Sequence, residues 1–316
     1  MKFDKSPLTV ADLAAHLVSL GLTGDRDYIA RRILDVGYYR LSPYWRYFVQ
    51  ADCQPAERLS GVDFQRVWQL YTFDRELRLL TLDAIERIEV AVRARTVQRH
   101  VMDWGPFGYL SAEGSPGSAS GHRQKHFDRL LKNIERAMDD AKGRNPKFPA
   151  LRHFVEKYGK THSKPPLWLA AEGFTFGDMV TLFNVAPRQV RRQVADDFDL
   201  SDGVLSSWLS TLGTVRNICA HHGRLWNRRI GTQPRNGPGK TWQAAELGPK
   251  DRVFYALTIC AYLLGVISEG SSWASRLRAL FERYADVPKV PMGVGARWES
   301  HPVWQARLTA HVRPPP

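Results

Sequence analysis

The stretch Leu70-Tyr71-Thr72-Phe73-Asp74-Arg75-Glu76-Leu77-Arg78-Leu79-Leu80-Thr81-Leu82-Asp83-Ala84-Ile85-Glu86-Arg87-Ile88-Glu89-Val90-Ala91 decides the fold. Leu70, Phe73, Leu77, Leu80, Ala84, Ile88 and Ala91 recur every three or four positions, with Arg75, Arg78, Glu86 and then Arg93 among the polar positions between them. Such spacing puts one apolar stripe along a helix. Towards the N-terminus, Leu13, Leu17 and Leu20 form a second stripe that Gly21 ends, and a further helix over about 26–36 sets Ile29 and Ile33 on one face before Gly37. Towards the C-terminus, 126–141 and 148–158 read as helical, 175–183 as a short amphipathic piece, and Pro187 as a helix start followed by Arg188, Arg191 and Arg192. Ser201-Asp202 opens a helix whose buried stripe is Val204, Leu205, Trp208, Leu212 and Val215, and 253–267 is apolar on every side, as a central helix would be. Ser111 to Gly121 reads as an exposed flexible loop, Pro165-Pro166 as a break, and Gly231 to Gly239 as a loop. No internal repeat and no alternating strand pattern of useful length is present. The expected fold is all-α.

Composition narrows the function. With 316 residues, 43% of them hydrophobic, the chain can bury a substantial core. Forty-five Lys and Arg against 32 Asp and Glu leave a net charge of +13, which favours anionic partners: RNA first, DNA second, an anionic membrane surface third. Cys53, Cys219 and Cys260 are widely spaced and form no Cys-x-x-Cys pair, so neither a disulfide framework nor a zinc site is expected. Asp12 and His16 interrupt what would have to be the apolar region of a signal peptide. The apolar run 253–267 contains Thr258 and Gly265 and falls short of the roughly 18 residues that a spanning helix needs. A soluble, cytoplasmic protein without cofactor or membrane association is expected.

The chemistry concentrates in Arg216-Asn217-Ile218-Cys219-Ala220-His221-His222-Gly223-Arg224-Leu225-Trp226-Asn227. A permanent cation precedes an imidazole by five positions, and those two groups suit phosphate chemistry: arginine holds developing negative charge, histidine moves a proton near neutral pH. The bare Arg-x4-His spacing is weak, because Arg95 and His100 satisfy it too. That copy reads as part of a solvated face or as a last-turn complement to the helix dipole. The later copy differs in its surroundings. Asn217 adds an amide, His222 doubles the imidazole, and from Gly203 through Ala245 there is no Asp or Glu, although Arg216, Arg224, Arg228, Arg229, Arg235 and Lys240 fall there. His222 assists proton transfer or plays a structural part, Asn227 supports the motif through hydrogen bonds to nearby backbone, and Trp226 reads as core. No further His, Cys or carboxylate at ligand spacing completes a metal site. One geometric difficulty stands out, since positions five apart on a regular helix point roughly 140° apart. Either the helix begins or bends within the motif, or a second copy completes the site. Two other features stay open: the first two helices read as a DNA-reading pair or an ordinary packed pair, and the Tyr-Tyr-Arg and Tyr-Trp-Arg cluster as a base-stacking surface or a packed corner.

The run from Arg216 to Asn227 resembles the motif of the Abi-like abortive-infection proteins, AbiD/AbiF type, of the HEPN superfamily of helical ribonucleases. Gly37-Tyr38-Tyr39-Arg40-Leu41-Ser42-Pro43-Tyr44-Trp45, Tyr71 to Arg78 with Ile88-Glu89, Pro166-Leu167-Trp168 with Phe176-Gly177, and His301-Pro302-Val303-Trp304 agree in the same order. Met292-Gly293-Val294-Gly295 departs from it, since similar proteins tend to have an aromatic residue and then proline there. The resemblance implies an N-terminal helical unit over 1–55, a HEPN-like helical bundle over 56–290 containing the motif, and a tail over 291–316 packed on it. It implies a metal-independent endoribonuclease of phage defence, an abortive-infection effector or toxin, that leaves a 2′,3′-cyclic phosphate and a 5′-hydroxyl. Arg216, Asn217 and His221 would be catalytic, His222 and Asn227 supporting, and Arg224, Arg228 and Arg229 would contact RNA. A homodimer with a composite active site and a bound structured noncoding RNA are the implied partners. The rival readings are a non-catalytic RNA-binding scaffold and a DNA-binding regulator.

Overall fold

A computed structural model describes residues 6–49, 57–119, 121–243, 247–268 and 270–309; Cys53 lies outside them. Three helices come first: α1 (Val10–Ser19), opened by a Thr9/Asp12 capping box, α2 (Arg26–Val36) and α3 (Tyr38–Trp45). They lead to α4 (Phe64–Trp104), the helix of the quoted stripe, 41 residues long and about 60 Å at 1.5 Å per residue. It exceeds the stripe at both ends because Phe64 and Val67 continue the buried face backward and Thr96, Val97 and His100 continue it forward. The Asp63 carboxylate accepts from the Gln65 N–H at its start, and Gly105, at φ 71°, stops it in a conformation that L residues avoid.

The remaining helices are α5 (Gly121–Asp140), α6 (Pro149–Tyr158), α7 (Leu167–Ala170), α8 (Phe176–Val185), α9 (Arg188–Asp196), α10 (Asp202–Ala220), α11 (Val253–Ile267), α12 (Trp273–Arg283) and α13 (Pro302–Thr309). No strand forms among the described residues, where β-pairing is limited to isolated bridges such as Thr23 with Asp63. The protein is all-α, as its periodicity predicts. Among the described residues, no helix is long and apolar enough to cross a membrane.

Two hydrophobic cores share α4. In the larger, α4 packs against α10, α11 and α12, and the buried Leu17, Ile29, Ile33 and Leu41 of the first three helices join the same cluster. α11 is buried almost all round, as its composition requires. The smaller core gathers Val97 of α4, Phe127, Leu130 and Ile134 of α5, Leu151 and Phe154 of α6, and Leu182 and Val185 of α8. Helix α8 belongs to both, since its Phe176, Met179 and Phe183 face the larger one.

The Ser/Gly-rich stretch after Ser111 is exposed at Ala112, Glu113, Pro116 and Ala119, as expected, but is anchored by the buried Gly114 and Ser115. Ser115 is buried and donates to the Tyr109 carbonyl at 2.9 Å, while Ser118 donates to the Ser115 carbonyl at 2.7 Å. Small hydroxyl side chains satisfy the local carbonyls. Gly117 lets the backbone come so near α8 that an added Cβ would lie 2.7 Å from the Val185 Cα. Helix α5 starts at Gly121, ahead of the expected position.

α13 packs on α11 and α12 through Trp304, which stacks on Phe254 at 5.4 Å between centroids and donates its indole N–H to Thr258 at 3.1 Å. Replacing Trp304 by Ala should cost about 3–5 kcal/mol in urea melts. Replacing Tyr39, 82% exposed, should stay within about 0.5 kcal/mol. Equal losses would show that Trp304 does not anchor this end.

Candidate functional site

Helix α10 carries the motif and ends inside it. Ser201 caps its start by accepting from the Val204 N–H, and Leu205, Trp208, Leu209, Leu212, Val215 and Cys219 bury one side. Regular helix continues through Ala220, and His221 is the C-cap. The next two residues then close the end with a Schellman pair: His222 N–H donates to the Cys219 carbonyl at 3.0 Å and Gly223 N–H to the Ile218 carbonyl at 2.7 Å. The left-handed position that this turn requires is held by His222, at φ 58°, where glycine is the usual occupant. Helix termination is thus the way the chain breaks within the motif. Arg216 and His221 remain on different sides of the helix end, while Asn217 and His221 are four apart and share one.

One buried carboxylate ties the segment after this turn to the long helix. Asp74 of α4, fully buried, accepts from the N–H of Leu225 at 3.0 Å, the N–H of Trp226 at 2.6 Å, the Tyr44 hydroxyl at 2.6 Å and the Arg78 guanidinium. Burial pushes the Asp74 carboxyl above the usual carboxylate range, against the pull of Arg78, Tyr44 and the two N–H groups. Burial and the same carboxylate push the Tyr44 phenol up. Three arginines complete the clamp: Arg40 donates to the His222 carbonyl at 2.7 Å, Arg78 reaches the Gly223 carbonyl at 3.4 Å, and Arg224 donates to the Pro43 carbonyl at 2.9 Å. The Tyr/Trp/Arg cluster of α3 is largely a packed corner, with Tyr44 and Trp45 buried and Tyr39 outside.

Held this way, the motif's polar side chains are left unengaged. Arg216 is half-buried and Asn217, His221 and His222 are exposed, and among the described residues none of the four side chains makes a hydrogen bond or ion pair. Arg216 does lie in the field of Glu89 on α4. Burial raises the Glu89 carboxyl, and the guanidiniums of Arg93, its 3.6 Å ion-pair partner, and of Arg216 draw it back. Arg228 is exposed, and Arg229 pairs with Asp251 at 3.6 Å. Trp226 is core, donating its indole N–H to the Pro288 carbonyl at 2.7 Å. The Asn227 side-chain oxygen is buried without a hydrogen-bond partner, whereas its backbone carbonyl accepts from Arg252. Cys219, inside the motif, is a buried free thiol pushed up to about 12 by burial and by Asp74.

The earlier Arg-x4-His copy is structural, and its reading as a solvated face is corrected for the histidine. His100 is fully buried, bonded through Nε2 to the Gly114 carbonyl at 2.8 Å, because the anchored loop after Ser111 covers it; burial lowers its basicity. Arg95 pairs with Asp197 at 3.5 Å and lies over the Phe198 ring.

Asp74, Arg78, Tyr44 and Arg40 carry the motif's geometry, yet sequence reasoning gave none of them a role. A signal was present: Asp74 and Arg78 fall beside Phe73 and Leu77 on the apolar side of the stripe, where a charged pair needs an explanation. Also unforeseen is a groove of 440 Å³ between α5, α8 and α10, which Asn217 lines together with His122, Arg123, His126 and Arg129. Among the described residues, no group of three or more His, Cys, Asp or Glu is arranged to hold a metal ion.

An all-helical protein that presents a basic Arg/Asn/His motif at a buttressed helix end is what this geometry defines. The family model described as Abi-like protein matches residues 31–227, from within α2 to the last residue of the motif, and the chain belongs to that family. Comparison with curated proteins and with solved structures returns no match.

Two stability measurements check the site's construction. Asp74→Ala leaves Arg78 buried and unpaired, and should cost about 3–5 kcal/mol in chemical denaturation. His222→Gly should instead stabilise by on the order of 0.5–1 kcal/mol, because relief of the left-handed strain exceeds the entropy glycine returns to the unfolded chain. A destabilised His222→Gly would mean that the imidazole itself supports the turn.

Proposed function

We propose that this chain is a metal-independent endoribonuclease of the HEPN type that acts in the cytoplasm as an abortive-infection effector. The observation carrying this reading is the end of α10, where Arg216, Asn217 and His221 stand unengaged while the backbone beneath them is fixed by Asp74 and three arginines. Preorganised polar groups with no hydrogen-bond or ion-pair partner among the described residues are what a site for an external anion requires. Membership of the Abi-like family and a net charge of +13 point the same way.

RNA supplies its own nucleophile. A histidine nitrogen takes the proton of the 2′-hydroxyl, the 2′-oxygen bonds to phosphorus, and the bond from phosphorus to the 5′-oxygen breaks as that oxygen receives a proton. His221 is the proton carrier in this scheme, Arg216 stabilises the negative phosphorane, and Asn217 orients the phosphate. One copy sets Arg216 and His221 on different sides of its helix end, so the complete site is a composite of two copies across a two-fold axis, with one His221 as base and the other as acid. Arg228 and Arg229, exposed just beyond the motif, contact the RNA backbone; Arg224 acts through the clamp. His222 occupies the left-handed position of the turn through its backbone, and the Asn227 backbone carbonyl beyond it is held by Arg252. A structured noncoding RNA suits so basic a surface as a resident partner.

The same separation of Arg216 from His221 favours, as a second reading, a scaffold that binds RNA without cutting it. Labelled RNA incubated in chelator with wild type, His221→Ala and Arg216→Ala separates the two. The nuclease reading expects metal-free cleavage to a 2′,3′-cyclic phosphate by a dimer, and a loss of at least about 10²-fold in either folded variant. Cleavage that persists in His221→Ala, that depends on a divalent ion, or that comes from a strict monomer overturns it.

A further inference from the structure

The groove between α5, α8 and α10 lies where the two cores meet, since α5 belongs to the smaller, α10 to the larger and α8 to both. At 440 Å³ it is within the roughly 300–1,000 Å³ of small-molecule sites. Its charge sets it apart. Arg123 and Arg129 of α5 line it with no carboxylate among the lining residues, whereas four other surface grooves each include at least one Asp or Glu. Among the described residues neither guanidinium is in an ion pair; Arg129 donates instead to Nδ1 of His126 at 2.7 Å. That bond leaves Nδ1 as the acceptor and the ring proton on Nε2, and burial, then Arg129 and His122, lower the basicity of His126. The His122 and His126 rings lie 4.7 Å apart. Opposite, α10 contributes Ser210, Thr214 and Asn217, and the buried Phe176 ring lies beneath, near Gly213. The Ser210 and Thr214 hydroxyls donate to carbonyls of their own helix, so two guanidiniums on one wall and the Asn217 amide on the other are the groups that fit the phosphodiester of a nucleotide chain.

We infer that this groove is a nucleotide subsite that holds the phosphodiester next to the one cut, with Arg123 and Arg129 on the phosphate and Asn217 shared between the groove and the motif. The inference rests on the ribonuclease reading for the word "cut", and on the groove alone for binding. From Asn217 to His221 is one turn of α10, about 6 Å along the axis, comparable to the step between neighbouring phosphates of an extended strand. RNA seated on Arg123 and Arg129 therefore presents its next phosphate to the helix end.

A fluorescent 2′-O-methyl oligoribonucleotide, which lacks the nucleophile and cannot be cleaved, tests this by anisotropy titration across a salt series on the full chain. Arg123→Ala/Arg129→Ala should weaken binding at least about tenfold and flatten the slope of log Kd against log salt by about 0.7, the value for one phosphate of a single strand that is no longer neutralised. Arg276→Ala/Arg278→Ala on α12, removing the same charge elsewhere, should leave both unchanged, and Arg123→Lys/Arg129→Lys should restore most of the slope. Unaltered affinity in the groove variant, an equal loss in the α12 variant, or no binding by wild type overturns the subsite. Because nothing is cleaved, the result is separable from catalysis: binding lost in the groove variant with a wild type inert towards ordinary RNA sustains the subsite and sinks the nuclease. Cleavage with a groove variant that binds normally does the reverse.

Discussion

One carboxylate in a dry interior governs the arrangement. Asp74 has no contact with water, so its charge must be met by donors, and the protein supplies a guanidinium, a phenol and two backbone N–H groups from three separate parts of the chain. Satisfying that demand brings α3 to α4 through Tyr44 and fastens the segment after α10 to α4 through Leu225 and Trp226. The three arginines of the clamp act on the carbonyls of His222 and Gly223, just past α10, and of Pro43 in the last turn of α3. The shape of the motif is therefore a property of the tertiary structure. An isolated peptide of the same sequence would lack it.

That dependence explains what could and could not be read from the sequence. Helix periodicity alone suffices for α4, α10 and α11, because each is long and its apolar residues fall on a stripe or surround it. The identity of the motif was legible as well, through the acid-free run around Arg216 and the doubled histidine. Its geometry was not. A helix end signalled by a histidine instead of a glycine carries little local information, and here the Schellman pair forms because Asp74, far away in the chain, holds Leu225 and Trp226 just beyond it. The burial of His100 was hidden for a related reason. Serines and glycines usually mark mobile chain, but after Ser111 their hydroxyls bond back to carbonyls and their small size lets the loop lie on α8 and cover the ring.

The groove illustrates the same limit from another side. His122, Arg123, His126 and Arg129 are ordinary-looking residues at the start of α5, spaced so that they line one side of the helix. Only the meeting of two cores along α8 sets that side opposite α10. Charge that looks dispersed along the chain becomes local in space, and Asn217, standing between the groove and the cap, makes the two regions continuous.

Cys219 has a consequence of another kind. It lies two positions before His221, beneath the helix end, with its thiol pushed up to about 12 by burial and by the neighbouring Asp74. Oxidants such as peroxide attack thiolates, and a sulfhydryl kept protonated and out of solvent is inert to them. The sulfur thus serves as a small apolar filler, and the region around it should withstand oxidative stress without forming sulfenic acid or mixed disulfides. A sharp change in the surrounding redox potential should leave this part of the molecule unaltered.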